Sequence, residues 1–254
     1  MDYLLVIFLG TIFGSFANVC IYRLPVNRNI SKGRSFCPKC KKKINWFDNI
    51  PLLSYLFLNG KCRKCKKKIS VQYPLVEVVS TFLFFLIYYY FGLSIDSLLL
   101  TILGFFLLII FFIDLEHYII PDELTFPLMI IGFLKSFDPN LNTAIFPNFV
   151  NSMIGGIFGY FLIWSIIFFY KQVRKKEGMG LGDAKLLAVA GFWFGWVSVP
   201  LIIFLSSSIG LLSVLPSLLT KKRKLSSQIP FGPYIVVSMV IYFYFSDQLK
   251  AFIF

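Results

Sequence analysis

Two sets of residues in this 254-residue chain have the types and spacing to do chemistry: four cysteines in two C-x-x-C turns, and two aspartates at the edges of long apolar runs. Cys37-Pro38-Lys39-Cys40 and Cys62-Arg63-Lys64-Cys65 are separated by 21 residues. Two ligands from each turn can enclose a tetrahedral Zn²⁺, as in a small zinc ribbon. With four sulfur ligands no coordination position is left for water, so such a metal would be structural rather than catalytic. It would supply folding energy to a segment too small for a core of its own. The alternatives are a redox pair or unligated thiols. Cys20, the fifth cysteine, stands apart and reads as a small apolar residue near a membrane edge.

Asp114 closes one apolar run, and Asp183 opens another after the alternating Gly178, Gly180 and Gly182. An ionisable group at such a boundary is costly and is usually functional or paired. Two facing carboxyls can share one proton, because both cannot comfortably ionise at short distance. The ionised one then takes a proton from an attacking water while the protonated one polarises a peptide carbonyl. The glycines permit close approach of an extended peptide backbone. Taken singly, either acid could instead cap a helix or pair with Lys185 or a loop lysine. His117, the only histidine, lies three residues beyond Asp114 and reads as a surface polar group. No serine or cysteine triad competes.

The elements that must position these residues are membrane helices. The chain is 57% hydrophobic with 31 Phe and a mean hydropathy of +0.77. Repeated apolar runs near bilayer length indicate an all-α polytopic membrane protein. The runs fall at about 3–20, 74–93, 97–113, 124–134, 149–170, 184–200, 201–219 and 233–246, so about eight transmembrane helices are expected. The 124–134 run contains Pro127 and is short for a full crossing unless it extends from Ile119–Pro121 or tilts. Pro200 is expected to mark a tight outer turn, and 137–148 an outer loop. No internal repeat is evident.

The net charge of +13 raises nucleic acid as a partner, but its distribution argues against that class. The polar insert, 21–73, holds 14 of the 25 basic residues, with further clusters at Lys171–Lys176 and Lys221–Lys224. With eight helices and the N-terminus outside, all three clusters fall in the cytoplasm, as the positive-inside rule requires. They would also attract anionic membrane lipid. The first run has Asp2 before it, Arg23 and Arg28 after it, and no clear cleavage site, which favours an uncleaved first helix. The segment after Asp247 is expected to be a short outer tail. In a lysine-rich cytosolic loop, reduced thiolates holding metal are favoured over disulfides. Trp46 and Phe47, between the cysteine turns, suit the membrane interface or the helix bundle.

In order and context, Gly14–Pro25 (GSFANVCIYRLP), the two cysteine turns with the intervening WFDNIPLLSYLFLNG, Tyr73–Ser80 (YPLVEVVS) and Ile229–Tyr234 (IPFGPY) resemble the type IV prepilin peptidases over nearly the whole chain. The glycine–aspartate motif also looks like that of other intramembrane aspartyl proteases. The resemblance implies a bifunctional enzyme of the bacterial cytoplasmic membrane. It would cut the basic leader from type IV prepilin or pseudopilin precursors at the cytoplasmic face. It would then methylate the new N-terminal residue, typically phenylalanine, with S-adenosylmethionine. By the same resemblance Asp114 and Asp183 are the catalytic acids. Asp122 in IIPD is also a familiar motif position, but on one helix it would lie ~12 Å from Asp114 along the axis, a poor dyad unless the chain bends at Pro121. The implied division is 1–20 as first transmembrane helix, 21–73 as a four-cysteine zinc insert linked to methyl transfer, and 74–254 as transmembrane peptidase core.

The methyl-transfer site is harder to read, since nothing resembles a soluble dinucleotide-type glycine loop. Gly14, Asn18, Arg23 and Glu77 are the candidates for the S-adenosylmethionine side of the chemistry, because they flank the insert. Pairing at the membrane edge is the alternative for Glu77, and interfacial anchoring for Arg23. Rival readings are a leader peptidase without methyl transfer, or a zinc-bound membrane assembly or transport protein. The oligomeric state is not encoded in any readable feature.

Overall fold

The computed structural model describes residues 2–31, 33, 35–141, 146–175, 179–219 and 229–253. Among these the chain is helical, with only two isolated β-bridges. Five helices are long and apolar enough to cross a membrane: α1 (Asp2–Arg23), α3 (Gln72–Phe91), α4 (Ile95–His117), α6 (Phe149–Arg174) and α8 (Ser198–Leu219). The chain is therefore an all-α polytopic membrane protein. α5 (Asp122–Lys135) and α7 (Leu181–Phe194) have 14 residues each, or about 21 Å, short of the ~30 Å hydrocarbon core. α9 (Gly232–Ile253) contributes a shorter apolar piece, Gly232–Ser246. The apolar run expected at 124–134 is α5. It does not extend back to Ile119, because Tyr118 turns left-handed (φ 59°) and Pro121 caps the new helix. The tight turn comes at Gly195 (φ 84°) rather than Pro200, which sits in the first turn of α8, where its missing N–H is harmless.

The chain divides into two compact units, Met1–Ile109 and Ile110–Phe254. In the first, α1 lies against α3 through Gly10 and Gly14, one turn apart. A Cβ on Gly14 would stand 2.7 Å from the Glu77 Cα, and one on Gly10 would stand 2.7 Å from the Thr81 Cα. Close backbone approach of this kind replaces the hydrophobic drive that is absent between helices in lipid. The insert between α1 and α3 holds the cysteine turns and one short helix, α2 (Leu53–Phe57).

A short internal repeat is present in the insert, contrary to the expectation of none. Cys37–Ile44 and Cys62–Ile69 differ only at Pro38 versus Arg63. They fold alike: Cys37 N–H donates to Lys42 and Lys41 N–H to Cys37, while Cys62 N–H donates to Lys67 and Lys66 N–H to Cys62. Bridges Phe36–Lys43 and Lys61–Lys68 match as well.

In the second unit α6 and α7 meet through glycine in the same manner. A Cβ on Gly155 would stand 2.5 Å from the Gly191 carbonyl oxygen, and one on Gly159 would stand 2.6 Å from that of Leu187. α7 is buried along nearly its whole length. Trp193 on it donates its indole N–H to Leu128 of α5 (2.8 Å). Lys135, buried, donates to the Trp193 carbonyl at 3.2 Å and lies 4.0 Å from the Phe146 ring centroid. α7 thus has no free face on which to slide, and the acid at its start is placed by the packing of the whole helix.

Candidate active site and metal centre

Asp114 occupies the last turn of α4 and is only 4% exposed. Its Oδ2 accepts from the backbone N–H of Gly232, the first residue of α9, at 2.9 Å. A Cβ at position 232 would approach that oxygen to 2.7 Å, so any side chain there must displace the carboxyl. Asp183 occupies the first turn of α7, three residues after the N-cap Gly180, and is 8% exposed. The Gly180 backbone hydrogen-bonds to its carboxylate, the reach-back geometry of a capped helix start. The exposed N–H groups of that helix end favour negative charge.

The two carboxyls interact electrostatically. Ile120 lies beside both acids' backbones: its Cβ is 2.9 Å from a Cβ placed on Gly182, which precedes Asp183, and its Cδ1 is 3.1 Å from one on Gly232, the donor to Asp114. The arrangement is a pair of buried acids, one held by a donor from α9 and one by its own helix start. Such a pair can hold one shared proton and pass it between water and a carbonyl oxygen.

Asp122 is elsewhere engaged. It is half exposed and ion-paired with Lys185 at 2.5 Å. His117 is exposed, 3.9 Å from Glu116. Gly178 and Lys176 before Asp183, and the basic cluster Lys221–Lys224, lie outside the described residues.

The Sγ atoms of Cys37, Cys40, Cys62 and Cys65 all fall within 4.8 Å of one another, with Cys37 and Cys65 at 3.9 Å. A tetrahedral zinc–tetrathiolate centre with bonds of about 2.3 Å has sulfur–sulfur edges of about 3.8 Å, so this donor set fits a single ion. The Cys65 backbone N–H lowers the Cys62 thiol, while, against the pull of the Lys67 backbone N–H, the neighbouring thiols raise that of Cys65, as expected where four sulfurs crowd one point. Arg63, inside the second turn, pairs with Asp48 at 2.7 Å and is held charged by it.

The four methyl-transfer candidates lie along α1 and α3. Gly14 packs on Glu77. Asn18 donates to the Tyr73 carbonyl at 3.0 Å. Arg23, buried, donates to the carbonyls of Asn29, Ile30 and Gly33, and so folds the chain that leads into the first cysteine turn. Glu77 accepts from the Leu52 N–H at 2.7 Å. Leu52 stands at φ 58°, ψ −51°, a conformation that costs a residue with a side chain about 1–3 kcal/mol.

Two contacts escape sequence reasoning. The Gly232 donor serves an acid 118 residues away; the Gly-Pro at a helix start is visible in sequence, its target is not. The Glu77–Leu52 bond depends on a backbone conformation that no residue type there announces.

Fold and sites together define a polytopic membrane protein with a buried carboxyl pair and a four-cysteine cluster whose geometry could hold a metal ion. Residues 8–91 match the family of the bacterial peptidase A24 N-terminal domain, and 101–215 the type IV leader peptidase family. The chain belongs to the type IV leader peptidase family. It is 35% identical to a prepilin leader peptidase/N-methyltransferase of Pseudomonas aeruginosa, covering 96% of this chain and 90% of the relative. Like-named proteins of Neisseria gonorrhoeae (36%, covering 95% and 90%) and Xanthomonas campestris pv. campestris (36%, covering 96% and 92%) are similar over the same extent. No solved structure matches the chain.

Proposed function

We propose that this chain cleaves the leader from type IV prepilin or pseudopilin precursors and then N-methylates the exposed residue with S-adenosylmethionine. The observation that carries the reading is the pair of buried carboxyls at the end of α4 and the start of α7 in a chain similar to bifunctional enzymes along almost its entire length. Asp114 and Asp183 are the proposed catalytic residues. One carboxylate removes a proton as water attacks the scissile carbonyl carbon, and the other delivers its proton to the carbonyl oxygen. Collapse of the tetrahedral species breaks the C–N bond, and a returned proton leaves with the new amine. S-adenosylmethionine, when bound, would supply the methyl group, and this chain's part is to present the new amine in its neutral form and take up the proton it releases.

Cys37, Cys40, Cys62 and Cys65 are proposed to hold a structural Zn²⁺, which would fix the two repeated turns on each other. Gly14, Asn18, Arg23 and Glu77 are proposed to build the methyl-transfer site, the first three along its wall and Glu77 from behind it, through the turn at Leu52. The domain division proposed is 1–20 as first helix, 21–73 as insert and 74–254 as peptidase core, with α3 also carrying Glu77. All eight helices apart from α2 are proposed to enter the bacterial cytoplasmic membrane, α5 and α7 as short crossings. The insert and acid pair would face the cytoplasm, where basic loops meet anionic lipid. Mass spectrometry of a prepilin incubated with purified enzyme tests this. The expected products are a cleaved chain without S-adenosylmethionine and a cleaved chain 14 Da heavier (roughly one added CH₂) with it. An intact precursor under both conditions would contradict the reading.

A further inference from the structure

We infer that Glu77 is a positioning residue: its buried carboxylate latches Leu52 in a strained turn and so fixes the cysteine module on the α1–α3 pair for methyl transfer. The functional half of this inference rests on the methyl-transfer reading above.

The turn itself is unusual. Leu53 N–H closes onto the Pro51 carbonyl at 2.6 Å across Leu52, whose φ of 58° and ψ of −51° define a γ-turn of the rare, strained hand. Such a conformation persists only where the surroundings over-determine it. Here the Leu52 N–H, pointing out of the turn, meets Glu77 Oε2 at 2.7 Å, a short bond to an acid 25 residues further on. Glu77 is 8% exposed, and Gly14 of α1 packs directly against its Cα. The acceptor is therefore held by the tightest part of the helix pair.

On the other side of Leu52 the contacts lead to the metal module. Ile50 N–H donates to the Ser54 hydroxyl, which donates to the Phe47 carbonyl. Asp48, beside Phe47, takes the ion pair from Arg63, between Cys62 and Cys65. The Arg63 guanidinium also lies 5.5 Å from the Phe47 ring centroid. These polar contacts, joined by the short backbone between them, connect the second cysteine turn to α3.

Leucine at the turn is informative. A glycine at 52 would adopt this backbone unaided. With leucine the turn forms when the carboxylate is present to hold it, so turn formation and docking of the module are one event. That coupling is what a positioning device needs, because an in-line methyl transfer depends steeply on placement. The role requires an acceptor oxygen, not a negative charge in contact with substrate.

The test uses the full-length enzyme in nanodiscs with Glu77→Gln, Glu77→Ala, Leu52→Gly and the Leu52→Gly/Glu77→Ala double variant. Amide exchange across 45–58, and kcat and KM for methylation of a pre-cleaved peptide, are measured beside precursor cleavage. Glu77→Ala is expected to speed exchange across 45–58 and to lower the methylation-to-cleavage ratio roughly tenfold or more. Glu77→Gln, which keeps a carbonyl acceptor, should stay within about threefold of wild type in that ratio. Adding Leu52→Gly to Glu77→Ala should restore part of the lost methylation, a rescue that a reactant-binding role for Glu77 would not give. Unchanged exchange in Glu77→Ala would overturn the latch. Glu77→Gln as inactive in methylation as Glu77→Ala, with wild-type exchange, would overturn it in favour of a charge that touches reactants. Exchange that responds as expected, in a chain whose wild type transfers no methyl group, would overturn the methyl-transfer reading and leave the latch standing.

Discussion

Asp114 and Asp183 are held by the ends of buried helices, whereas Cys37, Cys40, Cys62 and Cys65 are held by short turns with hardly any apolar interior. Around the acids, order comes from packing: α7 is enclosed, glycine contacts bring α6 against it, and a backbone donor from α9 meets Asp114. Around the cysteines it comes from polar contacts: paired turn hydrogen bonds, the Arg63–Asp48 ion pair and the Glu77–Leu52 bond. Two regions ordered by such different forces should fail differently. Damage to the acids should stop chemistry without unfolding anything, while damage to the cysteines should loosen a region without touching the acids.

The largest effect is expected at the acids. Asp114→Asn or Asp183→Asn keeps the side-chain size and removes proton transfer, so cleavage should fall by about 10³-fold or more in folded protein. Near-normal cleavage by either variant would remove that residue from the pair. Next in size is the metal. The active protein should contain close to one Zn²⁺ per chain, and Cys62→Ser should lose it and lower methylation roughly tenfold or more, with a smaller loss of cleavage. Metal analysis that finds no zinc in active, unchelated protein would break the comparison on the cysteine side.

A smaller loss is expected at Gly232. An added methyl group there meets Asp114 Oδ2 at 2.7 Å and must displace it. Gly232→Ala should reduce cleavage about tenfold in kcat while leaving methylation of a pre-cleaved peptide near wild type. Equal loss of both would show that the second unit does not fail locally. The smallest effect belongs to Asp122→Asn, because the half-exposed pair with Lys185 contributes ~0–1 kcal/mol. Cleavage should stay within about threefold of wild type. An inactive Asp122→Asn would make Asp122 a partner in the chemistry.

The acids and cysteines are legible in the sequence for a common reason: each violates its surroundings. A carboxylate at the edge of an apolar run and thiols at fixed spacing in a basic loop have few structural excuses. The apolar runs likewise map onto α1 and α3 to α9, since burial in lipid or against neighbouring helices demands apolar residues. What sets the boundaries is less visible. The run expected at 184–200 is divided at Gly195, because the break comes from one positive φ rather than from a change in polarity. The repeat Cys37–Ile44 and Cys62–Ile69 is present in the letters, but at eight residues it is a shared turn and not a repeated fold unit. Gly232 and Leu52 act through backbone N–H groups, which every residue except proline has, so their partners emerge only when the chain is folded.

The central claim is that hydrolysis and methyl transfer use separate residues, in that order. An amide nitrogen in the uncleaved precursor is a poor methyl acceptor, and hydrolysis supplies the amine. The most direct measurement is methylation of a pre-cleaved pilin peptide by folded Asp183→Asn, followed by mass spectrometry in the presence of S-adenosylmethionine. A rate within about threefold of wild type is expected, alongside no detectable cleavage of the intact precursor. Loss of methylation by that variant, or a methylated residue found while the leader is still attached, would contradict it.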